Sequence, residues 1–156
     1  MQSMRRYWVL ACTALLLFLA GKFVAGSRAD DRKEFEAVLV HKSCAPWDGP
    51  AVEIEFYSSP ARCSEPQVSN LRVALWRDLP PKPGQKIDLG TDSKLGAASY
   101  CQEEYKCERA KSGSVLIESY EEGKGASGKY DFVFAKAGHL TGRFRASWCA
   151  MRIRCG

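Results

Sequence analysis

The sequence predicts an all-β fold, either an antiparallel β-sandwich or a small barrel of seven or eight strands, stapled by disulfide bonds. Short runs in which apolar and polar residues alternate recur along the chain, and turn-forming residues separate them. The spacing of these runs is typical of a sandwich or a barrel. Beyond the N-terminal apolar segment, only residues 101–110 offer a helix-like stretch. Residues 27–156 are therefore expected to form a single all-β domain.

In the predicted strands of the first half, apolar and polar residues alternate, so that one face of each strand is apolar. The clearest example has Val52, Ile54 and Phe56 alternating with Glu53 and Glu55. A rigid connector is expected at 80–84, since proline cannot donate a hydrogen bond within a strand ladder. The predicted strands are 34–41, 52–57, 70–77, 85–89 and 97–102.

Three stronger strand candidates fill the C-terminal half, at 114–120, 129–136 and 140–148. Residues 137–138 fit a tight hairpin turn between the last two. The glycine-rich residues 121–125 predict a looser connection. Gly142 lies inside the last strand, where a glycine indicates a bulge or a close approach of another group to the backbone.

The same half of the chain carries a resemblance to known proteins. Its residues read SGSVLIESY at 112–120, SGKYDFVF at 127–134 and GHLTGRFRASWC at 138–149. This stretch resembles the closing hairpins of small exported bacterial β-sandwich proteins, many of them lipoproteins and mostly uncharacterised. The resemblance implies a sandwich and no catalytic residues. The chain departs from the lipoprotein members because it lacks a well-placed lipobox.

Residues 1–26 read as a secretory signal peptide. Arg5 and Arg6 precede an apolar run at 8–20, and small residues follow, which is the order that such peptides show. Cleavage is expected after Gly26, with Ala29 as a second site. An uncleaved anchor is the alternative, although the apolar run is short for a membrane span. Cys12 resembles a lipobox cysteine, but most of the apolar run follows it. The mature protein is therefore expected to be secreted or periplasmic, with no stable membrane span.

Six of the seven cysteines lie beyond this segment, and an even number in an exported chain implies disulfide bonds. Fifteen pairings are possible, and the sequence alone does not choose among them. Two Cys-x5-Cys spacings do not match the usual ligand spacing of zinc sites, so no metal is expected. The preferred set is Cys44–Cys155, Cys63–Cys149 and Cys101–Cys107.

The charge pattern argues against a nucleic-acid partner. The whole chain has a formal net charge of +5. Loss of residues 1–26 removes three basic and no acidic residues, which leaves 20 basic and 18 acidic residues. The remaining charges interleave along the sequence, whereas nucleic-acid binders cluster Lys and Arg on one face.

No set of residues in the sequence indicates catalysis or a cofactor. A hydrolase would need His139 as base with Asp131 to orient it, yet His139 lies at a predicted turn and is interpreted as solvated. His41, at the end of the first predicted strand, is interpreted in the same way. Glu53 and Glu55 could act as paired carboxylates, but alternation places them on the wet face of a sheet.

A binding function is the favoured hypothesis, with an unknown protein or glycan as the partner. Trp76 is predicted to lie on the strand face opposite the apolar side chains, where either a loop covers it or it belongs to a recognition surface. The candidate binding surface consists of Trp76, Arg143 and Arg145. Two alternatives remain: a secreted hydrolase inhibitor that uses the Cys101–Cys107 loop, and a small hydrolase.

Overall fold

The computed structural model describes residues 35–63, 67–103, 106–151 and 153–155, which belong to one compact unit. The predicted signal peptide lies outside these residues. In this part of the chain, no helix has the length and hydrophobicity needed to cross a bilayer. The described residues form nine strands: β1 (Ala37–Cys44), β2 (Pro50–Tyr57), β3 (Leu71–Leu75), β4 (Gln85–Asp88), β5 (Gly96–Glu103), β6 (Lys106–Arg109), β7 (Ser112–Glu121), β8 (Gly125–Val133) and β9 (His139–Trp148).

All nine strands belong to one curled sheet with the order β4-β7-β8-β9-β1-β2-β3-β5-β6. The prediction of an all-β, disulfide-stapled fold is confirmed, but a closed sandwich of seven or eight strands is wrong. The reason is the pairing of β1 with β9, in which Leu39 lies beside Ser147 and Val40 beside Trp148 in parallel. All other neighbouring strands are antiparallel. This parallel contact joins the N-terminal and C-terminal halves into one hydrogen-bonded sheet.

The curl of the sheet encloses one main core on its inner face. Tyr100 on β5 and Phe134 after β8 lie 5.8 Å apart between ring centroids, although four strands separate β5 from β8 in the sheet. Glu108 on the edge strand β6 accepts hydrogen bonds from the backbone N–H groups of Lys136 and Ala137, at 2.9 and 2.7 Å. These contacts bring β6 against the turn between β8 and β9, so that the curled sheet shields its own apolar face.

Most predicted strands correspond to observed ones, with boundaries displaced by a few residues. The helix-like stretch at 101–110 is instead the end of β5 followed by β6, a strand that the sequence did not predict. Its four residues are Lys, Cys, Glu and Arg, which show no apolar alternation. They form a strand because they pair with β5, where Cys101 lies opposite Cys107.

The disulfide bonds join the preferred pairs, which confirms that part of the prediction. They hold peripheral segments to the sheet, since one partner of each pair is Cys44, Cys149 or Cys101, at or next to a long strand. The pairs and their Cα–Cα distances are Cys44–Cys155 at 5.6 Å, Cys63–Cys149 at 5.3 Å and Cys101–Cys107 at 4.0 Å. Three such bonds fit an extracellular or otherwise oxidising compartment.

Gly142 on β9 is the site of a close approach, as its position in the sequence predicted. A β-carbon at this position would lie 2.6 Å from Oη and 2.8 Å from Cζ of Tyr130. Tyr130 is buried and packs edge-on against Phe56, with 5.2 Å between ring centroids. The ring of Tyr130 therefore occupies the space that any other residue would need for its side chain.

We expect Gly142→Ala to lower the free energy of unfolding by about 1–3 kcal/mol, because the added methyl group overpacks the core. At an uncrowded strand position, the same change would raise stability by about 0.5–1 kcal/mol. Urea unfolding measures the difference. Tyr130→Phe removes the nearest atom, so the double variant should lose less stability than the sum of the two single variants. If Gly142→Ala had the same free energy of unfolding as the wild-type protein, the packing described here would be contradicted.

Candidate binding surface

A five-residue turn between β1 and β2 presents Trp47 to solvent. The N–H of Ala45 donates to the carbonyl of Gly49 at 2.8 Å, and the N–H of Asp48 donates to the carbonyl of Ala45 at 2.9 Å. Asp48 adopts φ +61°, a left-handed conformation that Asp tolerates better than most residues. The Trp47 side chain is 49% exposed. A large apolar side chain is thus held outward on a turn of fixed conformation.

Trp76, which follows β3, packs against Trp47. Their ring centroids lie 5.6 Å apart with an interplanar angle of 81°, the edge-to-face geometry that aromatic pairs prefer. The N–H of Trp76 donates to the carbonyl of Leu95 at 2.8 Å, and Leu95 is itself an exposed apolar residue. Trp76 is half-buried, so the Trp47 turn covers it in part and leaves the remainder accessible.

Two guanidinium groups flank the tryptophan pair. Cζ of Arg77 lies 4.8 Å from the Trp47 ring centroid, and Cζ of Arg109 lies 6.0 Å from that of Trp76. Both distances are within the range of cation–π attraction. Neither arginine forms an ion pair with a carboxylate among the residues that the structure describes. Trp47, Trp76, Arg77, Leu95 and Arg109 are called the Trp–Arg surface below.

The structure does not bring Trp76 together with Arg143 and Arg145. These arginines lie on β9, opposite Lys129 and Ser127 of β8, and strands β1 and β2 separate β9 from β3. When both positions are projected onto the line of β1, the strand registers place Arg143 beside residue 35 and Trp76 beside residue 43. Eight residues correspond to roughly 26 Å along a strand. Arg143 instead lies 3.7 Å from a carboxylate oxygen of Glu118.

A second group of polar residues lies half-buried on the outer face of β1, β2 and β3. His41 is only 4% exposed, so its interpretation as a solvated residue is wrong. Nε2 of His41 lies 3.2 Å from Oε2 of Glu55, to which the Tyr57 hydroxyl also donates at 2.7 Å. Nη2 of Arg72 lies 3.1 Å from Oε1 of Glu55. These four residues are called the Glu55 network below.

The segment after β2 explains why this face is not wet. Ala61 packs on a small outer apolar cluster that includes Leu39 and Tyr57, and Ser69 donates to Glu55 at 3.4 Å. The bond from Cys63 to Cys149 links the segment to the end of β9. Alternation in the sequence places Glu53 and Glu55 on the outer face correctly, but it carries no information that the segment after β2 folds back over that face.

The hydrogen bonds fix the charge state of His41. Nδ1 lies 2.8 Å from the carbonyl of Lys42, and a carbonyl only accepts. Nε2 faces an ionised carboxylate, which also only accepts, so both ring nitrogens must carry protons. Burial opposes ionisation of both partners, but their hydrogen bond, together with Tyr57 and Arg72, lowers the pKa of Glu55 to about 2. Burial by itself would lower the pKa of His41, but the contacts with Glu55 outweigh this effect and raise it.

Together with the neighbouring Glu53, this network also offers a set of potential metal ligands. One atom each of His41, Glu53 and Glu55 lies within 4.8 Å of the others, and imidazole and carboxylate are common ligands of zinc. The guanidinium of Arg72, however, lies 3.9 Å from Glu53 and 3.1 Å from Glu55. The positive charges of Arg72 and His41 already balance the two carboxylates. The group is therefore interpreted as a structural cluster of ion pairs.

The residues of the hydrolase hypothesis do meet on the outer face. Nε2 of His139 lies 2.7 Å from Oδ1 of Asp131, and both side chains are exposed. Among the described residues, no hydroxyl or thiol forms a hydrogen bond with His139, so the pair has no nucleophile aligned with it.

For the inhibitor hypothesis, the loop at 101–107 carries an exposed ion pair of Lys106 with Glu103 at 2.6 Å, and residues 104–105 lie outside the described ranges.

Comparison of the chain with protein-family models, with curated proteins and with solved structures gives no match.

Proposed function

We propose that this protein is an exported, non-enzymatic binding module that recognises an acidic region of a partner protein through the Trp–Arg surface. The observation that carries this proposal is the exposed Trp47 beside two arginines with no carboxylate partner among the described residues. Trp and Arg are the residue types that most often dominate binding energy at protein interfaces. An apolar anchor flanked by guanidinium groups favours a partner that presents carboxylates, since arginine pairs with them in a bidentate geometry.

The rigid presentation of Trp47 supports the same proposal. The two backbone hydrogen bonds of its turn and the bond between Cys44 and Cys155 at the end of β1 fix the turn, and packing against Trp76 orients the Trp47 ring before any partner arrives. Binding to a pre-organised surface loses less conformational entropy than binding to a mobile loop. The three disulfides support a secreted or periplasmic location, where such bonds persist.

A random-peptide display selection against the oxidised mature protein tests the proposal. We expect the selected peptides to be rich in Asp and Glu. Trp47→Ala should weaken their binding roughly tenfold to one-hundredfold, the range expected for an interface hot spot. Trp47 lies on an exposed turn, so circular dichroism should show an unchanged fold. Biolayer interferometry measures the affinities.

A matched pair of double variants separates this surface from charge in general. Arg77→Gln with Arg109→Gln removes two charges at the tryptophans and should weaken binding, whereas Arg143→Gln with Arg145→Gln removes two charges on β9 and should not. Selected peptides that bind equally well to the Trp47 variant would contradict the proposal. Trp47-dependent binding to an anionic glycan array, with no acidic peptide selected, would assign the surface to a glycan instead.

A further inference from the structure

A cavity of about 430 Å³ opens at the end of the curled sheet near the turn between β7 and β8. Its apolar lining comes from separate parts of the chain: Val52, Leu79, Pro80, Tyr120 and Ile153. Val52 belongs to the main core and is nearly buried, so the cavity reaches the inner face of the sheet. The volume and the apolar lining are those of a small-molecule site, and the mouth of a curled sheet is a common place for one.

Covalent and strand contacts define the walls of this cavity. Cys155, which also lines it, is bonded to Cys44 at the end of β1, and this bond anchors the chain two residues after Ile153. Tyr120 belongs to the paired end of β7 and packs against Trp148, with 6.3 Å between ring centroids. The cavity is therefore formed before a ligand enters.

Two opposite charges meet at the rim. Nζ of Lys42 and a carboxylate oxygen of Glu122 form an ion pair, and both side chains are about half exposed. Lys42 lies within β1, where it pairs with Val52 of β2. Glu122 lies in the turn 122–124, next to Gly123 with φ +85°. The backbone of Lys42 is fixed by strand pairing, while Glu122 belongs to a turn outside the strand ladder.

We propose that this cavity binds a small amphipathic molecule with an apolar body and an anionic head. The body contacts the apolar lining, and the head replaces the Glu122 carboxylate at Lys42. The occupant is chosen by charge complementarity, because the rim residue whose backbone the sheet holds is the cation Lys42. This site is separate from the Trp–Arg surface and does not depend on the function proposed for it.

Isothermal titration calorimetry tests this proposal with decanoate and decylammonium below their micellar concentrations and decanol below its solubility limit, because the three probes share one apolar chain. We expect decanoate to bind roughly fivefold more tightly than decanol, which is the effect of one partly exposed charge contact. Lys42→Gln should remove this preference and leave decanol binding unchanged. Glu122→Gln should tighten decanoate binding, since it removes the competing carboxylate.

Lys124→Gln is the matched control, because Lys124 is exposed in the same turn and pairs with Glu121 at 2.6 Å. It should leave the affinity for all three probes unchanged. Absence of saturable binding by any probe would overturn the proposal. Tightest binding of decylammonium, or an unchanged decanoate affinity in Lys42→Gln, would do so as well. Circular dichroism verifies that each variant is folded.

Discussion

Replacing both Cys44 and Cys155 by alanine is expected to lower the free energy of unfolding by about 5 kcal/mol, because their bond closes a loop with a sequence separation of 111 residues. A crosslink of this length restricts the unfolded chain strongly, and its loss restores that conformational freedom. The bond also ties the C-terminal segment to the end of β1. Urea unfolding of the oxidised variant measures the loss.

Replacing Cys101 and Cys107 by alanine provides the comparison. Their sequence separation is only 6 residues, so the same chain-entropy argument gives a loss of about 2 kcal/mol. Both variants remove one disulfide and leave two, and mass spectrometry of the oxidised proteins verifies the remaining bonds. Equal losses in the two variants would show that loop length does not control the stability that these bonds provide.

Replacing Glu55 by glutamine is expected to lower the free energy of unfolding by about 3 kcal/mol at pH 5.5. The pKa of Glu55 falls from 4.5 to about 2 on folding, and each pKa unit corresponds to about 1.4 kcal/mol of preference for the charged form. The variant also leaves His41 and Arg72 with only their longer contacts to Glu53, at 4.0 and 3.9 Å, and the loss of an ion-pair partner is costly for a buried group such as His41. Urea unfolding at that pH measures the effect.

Glu118→Gln is the control, since it also removes a carboxylate with two basic partners on the outer face. Glu118 lies 3.4 Å from Nζ of Lys129 and 3.7 Å from Nη2 of Arg143, but its side chain is 40% exposed. Exposed ion pairs contribute about 1 kcal/mol or less. A Glu55→Gln loss no larger than that of Glu118→Gln would mean that burial does not strengthen the Glu55 network.

The pH dependence of stability should follow from the opposite shifts of the two partners. The lowered pKa of Glu55 gives stability that is complete above its unfolded value of 4.5 and is lost as the pH falls toward about 2. The raised pKa of His41 gives stability that is complete below its unfolded value of 6.5 and is lost as the pH rises through the folded value. The contribution of the pair is therefore greatest between these two unfolded values, and Glu55→Gln should flatten the acid side of the profile.

Strands with strong alternation were predictable because alternation is a local property of the chain. Val52, Ile54 and Phe56 face the main core, as their spacing predicts. The residues of β6 carry no such pattern, and they form a strand only because β5 lies beside them. An alternating pattern therefore identifies a strand that its own side chains define. It does not identify a strand such as β6, which forms because of the strand that it pairs with.

The candidate site shows the same division. The sequence predicted that Trp76 lies on the outer face, which follows from counting residues along one strand. The partners of Trp76 depend on the turn that carries Trp47 and on the pairing of β3 with β5 and of β5 with β6, which brings Arg109 near. Arg143 and Arg145 lie far from Trp76, because the position of β9 relative to β3 depends on three successive strand pairings, which no single segment of the sequence encodes.

By itself, the sequence determined the all-β class, the inner and outer faces of strongly alternating strands such as β2 and the presence of a disulfide framework. These features depend on residue type and on spacing along a single segment. Only the tertiary structure decided the nine-strand order, the burial of His41 and Glu55, and the cavity beside Lys42. Each of these depends on contacts between segments that are distant in the chain, and such contacts leave no periodic signal in the sequence of either segment.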